Sequence, residues 1–170
     1  MPLPMHDDLK SLLAYNRWAN DRVVEACRAL GPGQYEKEPV SGWPSIRSTL
    51  VHLADATWIW ARRVSGETVA ARVAESDVPT LDGALALLNR GHDAFDRLLD
   101  TLPPERLAAV WSYRNFDNQE LALPLWAVLR HVVNHATYHR GQIAAKFGRL
   151  GATPAKTDLV LWAIEHTMSS

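Results

Sequence analysis

The sequence predicts an all-α protein: a four-helix bundle with a long third connection and a short C-terminal helix. Three observations carry this prediction. Four long segments repeat apolar residues at helical spacing. Caps, glycines and prolines punctuate those segments at the places where helices start and stop. Near the C-terminal end, His131, His135 and His139 stand at i, i+4 and i+8 within one of them. An amphipathic helix must bury its stripe, and four such stripes bury most simply against one another.

The first helix is expected over 7–30, with Leu9, Leu12, Leu13, Val23, Cys27 and Leu30 as its stripe and Gly31-Pro32-Gly33 as its stop. Asn16 and Asn20 interrupt that stripe. Buried amides need partners, so they form either a core pair bonded to neighbouring helices or the polar wall of an internal site. The second helix is expected over 45–64, capped by Ser45 and stopped by Ser65-Gly66, with Ile46, Leu50, Leu53, Thr57 and Val64 inward. A linker leads to Pro79. Thr80 then caps a third helix with Leu81, Ala84, Leu85, Leu88, Phe95 and Leu99 on its stripe, ended by Pro103-Pro104. Residues 110–123 alternate around Asn115-Phe116-Asp117-Asn118 and fit a short hairpin or an irregular loop. Pro124, at a favoured first-turn position, opens a fourth helix over 124–147, which Gly148 and Gly151 break. Its stripe is Leu125, Val128, Leu129, Val132, Ala136, Ile143 and Phe147. A closing helix is expected over 157–167. The long third connection permits a crossover topology.

Composition narrows the function. A chain of 170 residues is most simply one domain, 1–170. A net charge of −1 without a basic block argues against nucleic acid or an anionic membrane as partner. Cys27, the single cysteine, excludes an internal disulfide or a thiolate zinc cluster, and its place on an apolar face marks a buried, inert thiol. Without a signal peptide or an 18-residue apolar run, a soluble cytoplasmic protein is expected. Seven tryptophans imply aromatic surfaces in the core, a pocket or a subunit contact.

The histidines supply the chemistry. Residues four apart share a helical face, so two imidazoles there can converge on one metal ion. His131 and His139 are about 12 Å apart along the axis, too far to share an ion. The stripe places His139 nearest its centre, His135 on its flank and His131 furthest away. The inward pair is therefore His135/His139, with His131 a surface or boundary residue. A third ligand must come from elsewhere: His52, beside the stripe of the second helix, or His92, near the stripe centre of the third. Periodicity slightly favours His92, whose alternative is a core histidine bonded to a carbonyl or to Asp96. Asp55, one turn after His52, either orients an imidazole or is solvated, and solvation is the favoured reading. Tyr138 and Arg140 are expected to point off the inward face. His6 and His166 are expected to be solvated.

Three segments bear a family likeness: Tyr15-Asn16-Arg17-Trp18-Ala19-Asn20, Ser48-Thr49-Leu50-Val51-His52-Leu53, and Asn134-His135-Ala136-Thr137-Tyr138-His139-Arg140-Gly141-Gln142. With their spacing, the chain resembles the DinB family (DinB/YfiT-like bundles) over nearly its whole length. The resemblance implies a four-helix bundle holding one divalent metal per chain, zinc or nickel, on His52, His135 and His139. It thereby sets His92 aside. It also implies a homodimer, using some exposed tryptophans, and a small-molecule substrate. Among such relatives are thiol-dependent enzymes, including S-transferases that use a low-molecular-weight thiol. Three protein ligands leave a position open, where a thiol loses its proton or water becomes more acidic. No His-Glu-x-x-His or Glu-x-x-His motif is present, which argues against a zinc protease and a di-iron bundle. Two functions compete: a metal-dependent, thiol-using transferase, and a non-enzymatic metal-binding or stress-related dimeric interaction protein. A direct DNA role, suggested by the family name, is opposed by the near-neutral charge.

Overall fold

The structure is a computed structural model that describes residues 4–42 and 44–167. Its long helices are α1 (Met5–Arg28), α2 (Ile46–Val64), α3 (Leu81–Thr101) and α4 (Leu125–Arg149), followed by the short α5 (Leu159–Thr167). A two-stranded antiparallel hairpin, β1 (Val110–Arg114) and β2 (Glu120–Pro124), fills the connection between α3 and α4. The expected bundle is therefore present, and the hairpin alternative for the third connection is the one realised.

Local chemistry explains the boundaries. Ser45 caps α2 by accepting from the Ser48 N–H at 3.0 Å, and Thr80 caps α3 by accepting from the Gly83 N–H at 3.0 Å. Both match the expected caps. The first helix stops at Arg28 rather than at residue 30, because the Ala29 N–H turns back to the Ala26 carbonyl and the Leu30 N–H to the Cys27 carbonyl. The fourth runs past Gly148 to Arg149, and Gly151 just beyond takes the left-handed conformation with φ 70. Pro124 lies just outside α4 as its N-cap rather than within the first turn. The hairpin turn is held by Asn115, whose Oδ1 accepts from the Asp117 and Gln119 N–H groups at 3.0 and 2.9 Å. Asn118 takes the left-handed conformation there, with φ 58, a region asparagine tolerates better than most residues.

The extensive helix contacts are α1 with α3 and α4, and α2 with α3 and α4. Helices adjacent in sequence, α1 and α2, thus lie across the bundle from each other. Two apolar clusters fill the interior: one around Ile46, Leu50, Leu53 and Leu88, the other around Leu9, Phe95, Val128 and Leu129. Cys27 is buried in the first cluster, and burial pushes its thiol up to about 12, as an inert core thiol requires. Tryptophans 18, 58, 60, 111 and 162 pack against these clusters. Trp126 is exposed, and Trp43 lies outside the described residues. Most of the aromatic surface therefore serves the interior. Among the described residues no helix is long and apolar enough to cross a membrane.

Candidate metal centre

The Nε2 atoms of His52 on α2 and of His135 and His139 on α4 meet between the two helices. His139 Nε2 lies 3.1 Å from His52 Nε2 and 3.1 Å from His135 Nε2. Among the described residues this is the one group of three or more His, Cys, Asp or Glu side chains placed to share an ion. Helical periodicity accounts for the α4 pair, and the packing of α2 on α4 supplies the third imidazole.

Proton placement tests whether a cation fits. His139 Nδ1 lies 2.8 Å from Gln142 Oε1. An amide oxygen can only accept, so Nδ1 carries the proton and Nε2 presents a lone pair toward the cluster. One lone pair cannot properly satisfy two facing N–H groups, and hydrogen bonding alone leaves the cluster incomplete. Tetrahedral zinc with bonds of about 2.0–2.1 Å sets its ligand nitrogens about 3.3–3.4 Å apart, close to the spacing found. Burial lowers the pKa of all three rings. For His135 burial, then His139 and His52, bring it down to about 4. At neutral pH all three are uncharged donors, the form a metal needs. Gln142 fixes the orientation of His139 as a partner to a ligating histidine commonly does.

The cavity beside His52 and His135 has a volume of about 200 Å³. Trp60, Phe116, Arg63 and Arg72 form much of its wall, and His131 stands at its edge. The His131 ring packs 5.3 Å from Trp60 and 5.6 Å from His135, centroid to centroid. It is exposed and outside the three-histidine group, as its position on α4 predicts.

Several other expectations need correction. Asp55 is not solvated. It is 3% exposed, accepts from the Val73 N–H at 3.0 Å and lies 3.6 Å from the Arg72 Nη1. It anchors the segment after α2 instead of orienting an imidazole, because residues 72 and 73 fold back over that face. Arg140 does not point away. It is 3% exposed and donates to Asn16 Oδ1 (2.7 Å), Asn20 Oδ1 (2.9 Å), Thr137 Oγ1 (2.7 Å) and the Tyr15 hydroxyl (3.2 Å). Since α4 packs on both α1 and α2, its buried arc is wider than one stripe, and Arg140 occupies the α1 side. Tyr138, 64% exposed, does point out. Asn16 and Asn20 are thus a core pair serving Arg140, and no hydrogen bond joins them to His52, His135 or His139. His92 is a core histidine as well, bonded through Nε2 to Asn20 Nδ2 at 3.1 Å rather than to Asp96. His6 is not free in solvent; its Nε2 lies 2.8 Å from the Leu99 carbonyl and ties α1 to α3. His166 is exposed, bonded to the Trp162 carbonyl one turn back.

Sequence reasoning missed Gln142, Arg63, Arg72 and Phe116. Gln142 was detectable, standing three residues after a ligand candidate on the same face. Phe116 reaches the cavity from the hairpin turn and Arg72 from the α2–α3 linker, where no periodicity points, while Arg63 comes from the last turn of α2.

Comparison with known proteins bears on the fold and the family. Protein DinB of Bacillus subtilis (strain 168) is 29% identical over 163 residues, spanning 93% of this chain and 95% of that protein. Among solved structures, YfiT from Bacillus subtilis, described as a probable metal-dependent hydrolase with an unusual four-helix bundle topology, is similar with a TM-score of 0.66. It is 19% identical, over 86% of this chain and 90% of that one. A DinB-like protein from Bacillus cereus ATCC 10987 is similar with a TM-score of 0.60 and 18% identity, over 84% of this chain and 91% of that one. The DinB family profile itself matches residues 5–167, so the chain belongs to the DinB family.

Proposed function

We propose that this protein is a metal-dependent enzyme acting on a small molecule, with His52, His135 and His139 holding one divalent cation, zinc or nickel. The observation that carries the reading is the meeting of three Nε2 atoms with His139 held in the ligating tautomer by Gln142. Bound there, such a cation would keep an exchangeable position and favour the deprotonated form of a thiol or water occupying it. Trp60 and Phe116 give the cavity apolar walls that limit water. Among the described residues no Asp or Glu lines it, and Asp55 is committed to Val73 and Arg72. Chemistry that needs no carboxylate base suits this wall, which supports a thiol-using transferase with a low-molecular-weight thiol as co-substrate. Hydrolysis is the second reading. It is supported by the fold shared with YfiT and by His131, an imidazole lining the cavity that could serve as a base.

Elemental analysis of the purified protein tests the centre. About one zinc or nickel per chain is expected, with binding lost or weakened by about a hundredfold or more in His139→Ala, since a ligand matters at least as much as its supporting partners. Full metal content in that variant defeats the proposal. The thiol reading is checked on cobalt-substituted protein, where 2-mercaptoethanol should produce a thiolate-to-metal absorption band; no band leaves hydrolysis as the better reading. The working unit is taken to be a homodimer, supported by the exposed apolar side chains Trp126, Val160 and Ile164. Sedimentation should then give twice the 19.0 kDa chain mass, and a monomer at micromolar concentration would contradict it.

A further inference from the structure

Beside the imidazole cluster stands an arginine that the protein leaves unfinished. Arg63 is 6% exposed, and its Nε and Nη2 have no hydrogen-bond partner. These two nitrogens form the side edge of the guanidinium, the fork that meets both oxygens of a carboxylate. Leaving such a fork buried and unpaired costs stability.

Aromatic faces hold it in place. The guanidinium carbon lies 5.2 Å from the Trp60 ring centre, 4.9 Å from Tyr113 and 4.8 Å from Phe116. Cation–π contact compensates the charge and leaves the in-plane N–H groups without acceptors. Nearby carboxylates are engaged elsewhere: Glu67 with Arg62 at 2.8 Å, Glu120 with Arg114 at 3.5 Å. A second cation adds to the field. Arg72 lines the same cavity, its guanidinium carbon 5.0 Å from the Phe116 ring centre. Its one carboxylate, Asp55, is 3.6 Å away and already accepts from Val73. Phe116 covers both arginines from the hairpin turn and is 40% exposed. A ligand that reaches the buried fork must displace the Phe116 ring, which sits in the turn between β1 and β2.

We propose that this cavity recognises the carboxylate of a small apolar or aromatic molecule, with the Arg63 fork as its main contact and Arg72 as the second charge. Two positive groups and no acidic wall select an anion. Trp60 and Phe116 select an apolar body, and about 200 Å³ admits a molecule of benzoate size. His52 and His135 line the same space, so an anion held there lies beside the proposed metal. The conclusion that such carboxylates are substrates rests on the metal-centre reading; the anion site itself rests on Arg63 and Arg72.

Benzoate and its neutral counterpart benzamide are the probes, titrated by calorimetry into the full-length protein, metal-free and zinc-loaded. Benzoate should bind the metal-free protein about tenfold more tightly or better, as a bidentate charged pair implies. Arg72→Gln, a change at a half-exposed position, and Arg63→Gln should each bring the two affinities together. Circular dichroism checks that both variants fold, and Arg72→Gln carries the test if Arg63→Gln does not. Wild-type protein that binds benzoate no better than benzamide, or a preference that survives substitution in folded variants, overturns the proposal. Zinc content is measured on the same samples. Benzoate preference without zinc uptake would remove the metal-centre reading and leave the anion site standing; zinc uptake without benzoate preference would do the reverse.

Discussion

His92 shows how one buried side chain couples folding to pH. It is 4% exposed, its Nδ1 has no partner, and burial foremost, then Arg17, lowers its pKa to about 3. The unfolded chain binds this proton with an ordinary pKa of about 6.5. Between those values the unfolded state carries the extra proton, so stability rises with pH and is lost as pH falls from about 6.5 toward 3. One such group contributes a slope of up to about 1.4 kcal/mol per pH unit. His92→Gln should therefore flatten the acid side of the stability–pH curve by up to that amount, measured by urea unfolding at a series of pH values. An unchanged slope would mean that His92 titrates normally in the folded protein. His135 illustrates a different lesson at the same scale. Its convergence with His139 was legible from spacing and the apolar stripe, whereas Arg140, its neighbour five positions on, was misread because a single-stripe view of α4 has no second partner for the helix.

At the scale of helices, α2 and α3 pack tightly at Gly91. A Cβ there would stand 2.8 Å from Thr57 Cγ2, 3.1 Å from the Thr57 carbonyl carbon and 3.2 Å from the Trp58 nitrogen. Replacing a mid-helix glycine by alanine gains about 1 kcal/mol in helix propensity. Overpacking costs about 1–3 kcal/mol, and two of the three atoms here belong to backbone that cannot rotate away. The clash should win. Gly91→Ala is expected to lower unfolding stability by about 1 kcal/mol, read from chemical denaturation, and a stabilised variant would show that α2 and α3 separate easily. The four helices and their caps were legible because stripes, Ser45 and Thr80 act locally. The hairpin was left undecided because residues 110–123 carry both alternation and turn formers, and only strand pairing with the Asn115-held turn resolves it.

For the whole molecule, metal binding and stability should be linked. A cation bound by α2 and α4 favours the folded chain, since His52 and His135 are brought together only by folding. Saturation at about a hundred times the dissociation constant contributes about 2.7 kcal/mol. For a chain of this size that corresponds to a rise in Tm of about 5–10 °C. Differential scanning calorimetry with zinc, and again after chelation by EDTA, reads the shift. A Tm indifferent to both would separate the histidine cluster from metal binding.

The order of helices, their caps, the apolar stripes and the choice of His135 with His139 follow from the sequence by itself, because each depends on residues within a turn or two of one another. Family likeness added His52. Tertiary structure alone decided what spans elements: that Asn16 and Asn20 accept from Arg140, that Asp55 serves the α2–α3 linker, and that Arg63 and Arg72 line one cavity with His52, His135 and Phe116. Long polar side chains reach across a bundle in directions that helical periodicity does not specify, and the partner they find is set by which helices pack together.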